Sequence, residues 1–175
     1  MSVFDGGNAT AQTDEFGFSH NLREGGDGLF FMQRIKIDLP DKFMFTTEIP
    51  VRVYDVNFAG HLSNDSILSM VHEARIQFLK NWDYSEVNTE GAGIIMFDAA
   101  LQYKSQGYHG DVLVFEVAVD NFLKSGCDFF FKITNKKTGK EIARAKTGIA
   151  FFDYKANKLV PVPEKFKTLI ESLKA

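Results

Sequence analysis

The residues with the most chemical potential in this chain stand close together: Asp55, Asn57, Gly60, His61 and Asn64, with Glu73 soon after. A carboxylate or an imidazole can take or deliver a proton, and an amide can hold a water or a carbonyl oxygen. Gly60 lacks a Cβ, so the backbone there can approach a ligand closely. A β-branched run, residues 46–53, leads into the stretch, and an apolar-periodic run, residues 66–79, leads out of it. Such a strand-to-helix turn leaves free N–H groups at the start of the next helix, suited to an oxyanion, a phosphate or a carbonyl. The stretch reads as an active-site loop.

Each of these side chains also has a plainer role open to it. His61 is either a proton acceptor or a group that ties the turn together. Asp55, at the end of the strand, either orients His61 or caps the turn. Glu73 lies nearly opposite the apolar stripe of its helix, so it is either a solvated carboxylate or a site residue facing a partner. Arg75 falls near that stripe, which predicts a buried pair with a carboxylate. Tyr54 and Phe58, with Phe97, Tyr103 and Tyr108, either line an acyl channel or belong to the core. His72 and His109 show no metal-ligand spacing, and neither a metal nor a cofactor is expected.

The elements that position these groups follow from periodicity. Residues 43–54 favour extended structure, and Pro50 marks that strand as an edge or a bulge. After the turn, Ser63, Asn64 or Asp65 can cap the helix, whose stripe of Ile67, Leu68, Val71, Ala74, Phe78 and Leu79 packs on a sheet. Four strands are predicted next: residues 93–103, 112–122, 126–135 and 141–153. Asn135-Lys136-Lys137-Thr138-Gly139 makes the turn between the last two. Pro161 and Pro163 stop the last strand, and residues 164–173 form a short amphipathic helix. One strand, one long helix and a mostly antiparallel run of strands make an α+β domain.

Composition bounds the partners. The 175 residues suit one domain, and the 18 phenylalanines suggest an aromatic core in a sheet-rich fold. A net charge of −3 with no basic cluster argues against nucleic acid. No apolar run reaches membrane-spanning length, so no membrane partner is expected, and the lone Cys127 fits a reducing cytoplasm. Residues 1–31, rich in glycine and small polar residues, are expected to be a disordered leader or extension, with the folded domain over residues 32–175. The rival reading is an arm docked through Phe16, Phe18, Phe30 and Phe31.

The turn and the His72-Glu73-Ala74-Arg75 sequence resemble the 4-hydroxybenzoyl-CoA thioesterase-like branch of the hotdog-fold superfamily. That pattern runs Asp-x-Asp-x-x-Gly-His-Val-x-Asn, then Glu-Ala-Arg on a long helix. Asp55, Gly60, His61, Asn64 and Glu73-Ala74-Arg75 match it, while Asn57 stands where the family carries its catalytic aspartate. The resemblance implies a hotdog fold, a curved antiparallel sheet wrapped around one long central helix, assembled as a homodimer or homotetramer. It implies hydrolysis of an acyl-CoA or acyl-carrier thioester, with Asn57, His61, Glu73 and Asp55 as the catalytic group. Tyr54, Phe58, Gly60, Leu62 and Asn64 are the expected substrate contacts at the turn, and Lys124 and Gly126 those for the nucleotide part of coenzyme A. Because an amide cannot act as a base, the loss of the aspartate leaves two alternatives. One is a catalytically weak acyl-CoA-binding hotdog, and the other is a hotdog hydratase or dehydratase.

Overall fold

The structure, a computed structural model, describes residues 34–174. The expectations for residues 1–31 lie outside the described residues. In chain order the elements are β1 (Phe45–Pro50), a 3-10 turn (Val53–Asp55), α1 (Asn64–Lys80), β2 (Gly93–Tyr103), β3 (Val112–Asp120), β4 (Gly126–Asn135), β5 (Glu141–Asp153), the short β6 (Lys158–Leu159) and α2 (Glu164–Lys174). The strands form one antiparallel sheet in the order β1-β3-β4-β5-β2, with β6 paired to β5. This is the α+β order read from periodicity. Two helices are present among the described residues, so the expected single long helix is met in part. α1 is the longer, and α2 adds the buried Phe166 and Ile170 to the same core.

The first strand is shorter than expected. It ends at Pro50, which has no N–H for the ladder, and the chain then turns because Asp55 folds back on Arg52. Pro50 does sit on an edge strand, since β1 closes one side of the sheet and β2 the other. The turn between β4 and β5 is built by Asn135, whose Oδ1 accepts from the backbone N–H groups of Lys137 and Thr138.

Alternation places the core. On β3, Leu113, Phe115, Val117 and Val119 face inward and pack with Phe129, Phe131 and Ile133 of β4. α1 lays Ile67, Met70, Val71, Ala74, Phe78 and Leu79 onto this face. Phe78 meets Phe45 and Phe129 edge-on, with ring centroids 5.8 and 5.4 Å apart. Such pairs contribute about 0.5–1.5 kcal/mol beyond their buried area, which gives the abundance of phenylalanine a physical use.

The opposite face of the sheet is partly covered by the chain ahead of β1. Ile37 is buried there with Ala118 and Phe130. Its N–H donates to Gln102 Oε1 at 3.3 Å, and Arg144 Nη1 donates to its carbonyl at 3.1 Å.

A bulge interrupts β2. Met96 pairs with Ile149 and Asp98 with Gly148, leaving Phe97 as an extra residue between them. Beside the bulge stands Gly148, where a methyl would meet the ends of the Phe97 and Asp98 side chains, Cζ and Oδ1, each at 2.8 Å.

Candidate active site

The polar turn is held shut by its own groups. Val56 bridges to Leu62, the Asn57 N–H donates to the His61 carbonyl at 2.8 Å, and the Gly60 N–H donates to the Asn57 carbonyl at 2.9 Å. Gly60 takes φ +80°, a left-handed conformation that glycine adopts without penalty. The Asn57 side chain supports the same loop, its Oδ1 accepting from the N–H groups of Ala59 at 2.9 Å and His61 at 3.3 Å. The amide oxygen of Asn57 is thus turned to the backbone of its own loop.

The other residues read from the sequence separate into distinct surroundings. Asp55 is buried, and its Oδ2 accepts from Arg52 N–H at 2.7 Å and Arg52 Nε at 3.1 Å. Of its two readings the geometry gives the turn cap, and Asp55 has no hydrogen bond to His61. The His61 ring stands edge-on to Tyr108, centroids 5.5 Å apart. Glu73 is exposed and accepts from Gln77 Nε2 at 2.7 Å, while Gln77 Oε1 accepts from the Thr47 hydroxyl on β1. Glu73 thus sits on the β1 side of α1. Tyr54 and Phe58 are exposed, and Arg52 lies over the Tyr54 ring at 4.7 Å. Leu62 is half-buried against Gly107, where a Cβ would meet Leu62 Cδ2 at 3.2 Å. At the far corner Lys124 is exposed, but Gly126 is buried and pressed against the Ile149 carbonyl.

Just past the turn, the N-terminus of α1 opens onto a groove. Ser63 holds the N-cap position, yet its hydroxyl donates to the Asp65 carboxylate instead of accepting from the helix. That hydroxyl, with the N–H groups of Asp65 and Ser66, holds the Asp65 carboxyl below its usual range. Burial and the Asp65 charge push the Tyr103 phenol up, and its hydroxyl donates to the Asn64 carbonyl at 3.2 Å. The groove is about 390 Å³ in volume and runs from Asp65 along Leu68, Ser69 and His72 to Arg75, with Met96 of β2 opposite. Because β2 is an edge strand, the groove lies beside an open rim of the sheet.

The floor of the groove carries the pair predicted for Arg75. This guanidinium is 5% exposed, and its Nε and Nη2 donate to Glu86 Oε1 at 2.8 and 2.7 Å. Nη1 reaches Thr147 Oγ1 at 3.4 Å. The other oxygen of Glu86 lies 2.8 Å from His72 Nε2. Burial works to raise the Glu86 carboxyl, but the His72 and Arg75 hydrogen bonds outweigh it and hold it below its ordinary value. His72 and Glu86 were not among the expected site residues. The signal available for His72 was the helical spacing of Asp65, Ser69, His72 and Arg75, which share one flank of α1.

Among the described residues no cluster of His, Cys, Asp or Glu could hold a metal ion. No helix among them is long and apolar enough to cross a membrane.

Solved structures share this architecture. One is a 1,4-dihydroxy-2-naphthoyl-CoA thioesterase from Synechocystis, at 22% identity and a TM-score of 0.68, covering 75% of this chain and 98% of that one. A thioesterase from Thermus thermophilus, complexed with coenzyme A and zinc, has 20% identity and a TM-score of 0.67, covering 77% and 98%. A thioesterase-superfamily protein from Jannaschia has 16% identity and a TM-score of 0.69, covering 77% and 85%. At these identities the likeness is one of fold, and the antiparallel sheet with few helices fits a hotdog. No curated protein matches the sequence. The sequence profile of the Thioesterase-like superfamily matches residues 51–170, from the end of β1 into α2, and the chain belongs to that superfamily.

Proposed function

We propose that the chain is a thioester hydrolase acting on an acyl-CoA, close in kind to the 4-hydroxybenzoyl-CoA thioesterase-like branch. Membership of the superfamily supports thioester hydrolysis in general, and the neighbouring structure complexed with coenzyme A favours that carrier. One observation carries the reading. The Asn57–His61 turn, the N-terminal end of a 17-residue helix and the groove beginning at Asp65 adjoin one another. The acyl group enters the groove, and the thioester carbonyl rests beside the turn at the N-terminal end of α1, where the helix dipole favours a developing negative oxygen. Asp55 holds the entry to the turn through Arg52, and Asn57 holds its shape. Tyr54, Phe58, Leu62 and Asn64 border the entry, and Lys124 and Gly126 belong to the corner assigned to the nucleotide part. The protein works as a homodimer that continues the sheet across the open β2 edge, bringing a second copy over the groove. The lone cysteine suits a reducing compartment such as the cytoplasm.

The test is release of free thiol from a panel of acyl-CoAs by the purified chain, together with its mass by light scattering at micromolar concentration. Thiol release by a dimeric species supports the reading. A monomer removes the assembly proposed here. A second reading has its own support: Asn57 Oδ1 is occupied by two backbone N–H groups, so the turn offers no carboxylate base. An acyl-CoA-binding protein without turnover would show affinity for the same panel and no thiol release.

A further inference from the structure

We propose that the groove takes a medium-length acyl chain with a hydroxyl near its far end, and that His72 is the residue that selects it. The proposal rests on the thioester-hydrolase reading and names the substrate class. With the thioester carbonyl at the N-terminal end of α1, the groove leads away from it along the helix, from Asp65 past Ser69 to His72 and Arg75. From Asn64 to His72 the helix rises about 12 Å, and its side chains lean back toward the N-terminus, so the imidazole stands roughly 10 Å from the carbonyl. His72 therefore meets the far end of the acyl group and not the reacting carbon. An extended chain of about eight carbons spans that distance.

The two sides of the groove differ at this depth. Met96 is 48% exposed and its sulfur lies 3.9 Å from Arg75 Nη1, which carries an apolar wall down to the level of His72. Opposite it, the half-exposed imidazole and Glu86 are polar. A methyl end laid there would strip water from both and give neither a partner, whereas a hydroxyl replaces the lost water. Glu86 decides which polar end fits. Its carboxyl is held below its ordinary value by the His72 and Arg75 hydrogen bonds, so at neutral pH it is ionised and only accepts. The 2.8 Å contact with Glu86 Oε2 then places the proton on His72 Nε2 and leaves Nδ1 as an acceptor, with no hydrogen bond to it among the described residues. A hydroxyl can donate to Nδ1, and Ser69, one helical turn back on the same flank, can donate to that hydroxyl. A carboxylate fits poorly. Among the described residues the cation lining the groove is Arg75, which is committed to Glu86 and Thr147, while Asp65 and Glu86 carry the same charge as the incoming group.

The experiment measures thiol release by the full chain from octanoyl-CoA, 8-hydroxyoctanoyl-CoA, 3-hydroxyoctanoyl-CoA and the coenzyme A monothioester of octanedioic acid. In kcat/KM the 8-hydroxy substrate should exceed octanoyl by about five- to tenfold, the net worth of one hydrogen bond, and the dioic substrate should fall below both. The 3-hydroxy substrate should gain nothing, because its hydroxyl lies well short of His72. In His72→Phe, which keeps a ring and removes the acceptor, the ratio of 8-hydroxy to octanoyl should fall to about one or below. A ratio taken within one variant does not depend on how much activity that variant keeps. Ser69→Ala should lower the same ratio by about two- to threefold, and it decides the matter if His72→Phe does not fold. A wild-type preference for octanoyl, an equal gain from the 3-hydroxyl, or a ratio unmoved by these substitutions overturns the assignment and leaves the hydrolase reading in place. A wild type that releases thiol from none of the four overturns the hydrolase reading and this assignment with it.

Discussion

Replacing Glu86 by glutamine tests how the groove floor is held together. The change keeps the size of the side chain and one carbonyl oxygen but removes the charge that compensates Arg75, a guanidinium 5% exposed. Two hydrogen bonds between opposite charges, at 2.7 and 2.8 Å, become bonds from a charged donor to a neutral carbonyl. Hydrogen bonds to charged groups contribute about 1.5–3 kcal/mol, against roughly 1 kcal/mol for neutral ones. Breaking a fully buried ion pair from one side costs about 3–5 kcal/mol. Glu86 retains a quarter of its side-chain exposure, so water screens part of the loss and about 2–3 kcal/mol is expected. For a chain of this size that lowers the melting temperature by about 5–10 °C. The assay is thermal unfolding followed by circular dichroism at one fixed protein concentration, since association shifts the midpoint. The decisive comparison is Arg75→Met/Glu86→Gln, in which no buried charge remains uncompensated. It should recover most of the stability lost in Glu86→Gln, and the cycle should give a coupling of about 2 kcal/mol. A single variant with an unchanged midpoint, or a double variant no better than the single, would refute the account of Arg75 as a charge in need of Glu86.

Three further outcomes are expected. Asn57→Asp should fold normally, since one carboxylate oxygen keeps the bonds from the Ala59 and His61 N–H groups, and should gain no turnover, since a carboxylate so bonded is a weaker base; a large gain in thiol release would show that a carboxylate base is what the turn lacks. Acid should weaken the fold in part through Glu86: its folded pKa lies below the ordinary 4.5, so its contribution is complete above that value and lost as pH falls through the folded one. Urea unfolding from pH 7 to pH 3 should therefore show a shallower decline for Glu86→Gln than for wild type. Burial pushes the Cys127 thiol well up, so native protein should not react with a disulfide reagent until urea is added, and colour in a thiol-release assay should come from product alone.

Much of this fold is legible in the sequence because a half-buried strand writes its period into residue types. Residues 126–135 and 141–153 are bounded by a glycine, an asparagine-glycine turn and prolines, and β4 and β5 occupy those spans. Residues 43–54 show where propensity misleads. Val51, Val53 and Val56 look like strand, but the Asp55 carboxylate bonds the Arg52 N–H, and that local bond bends the chain before the ladder can extend. The site was half legible for a similar reason. The turn, its glycine and the burial of Arg75 follow from local spacing. The partner of Arg75 does not, because Glu86 lies beyond the helix end in a segment without periodicity, and only the folded chain brings it back to His72. Likewise, nothing in the residue type at position 57 tells that its side chain is spent on the backbone of its own loop.

The extra residue at Phe97 sets the phase of a strand. Met96 faces inward with Ile149 and lines the groove, while Asp98 faces outward, where it meets Lys146 at 3.3 Å. In a regular strand these two positions would share a face. β2 is therefore two half-strands of opposite sequence parity joined at Phe97, and the bulge is the one place where a residue can be lost without turning either half over. Deleting Phe97 would even out the ladder and keep both faces, because Met96 and Asp98, then adjacent, would still point to opposite sides. One residue inserted or deleted elsewhere in β2 would instead invert the part of the strand beyond it, either lifting Met96 out of the groove or driving Asp98 into it. Variation in this protein's lineage should accordingly run through the side chains of β2 far more freely than through its length.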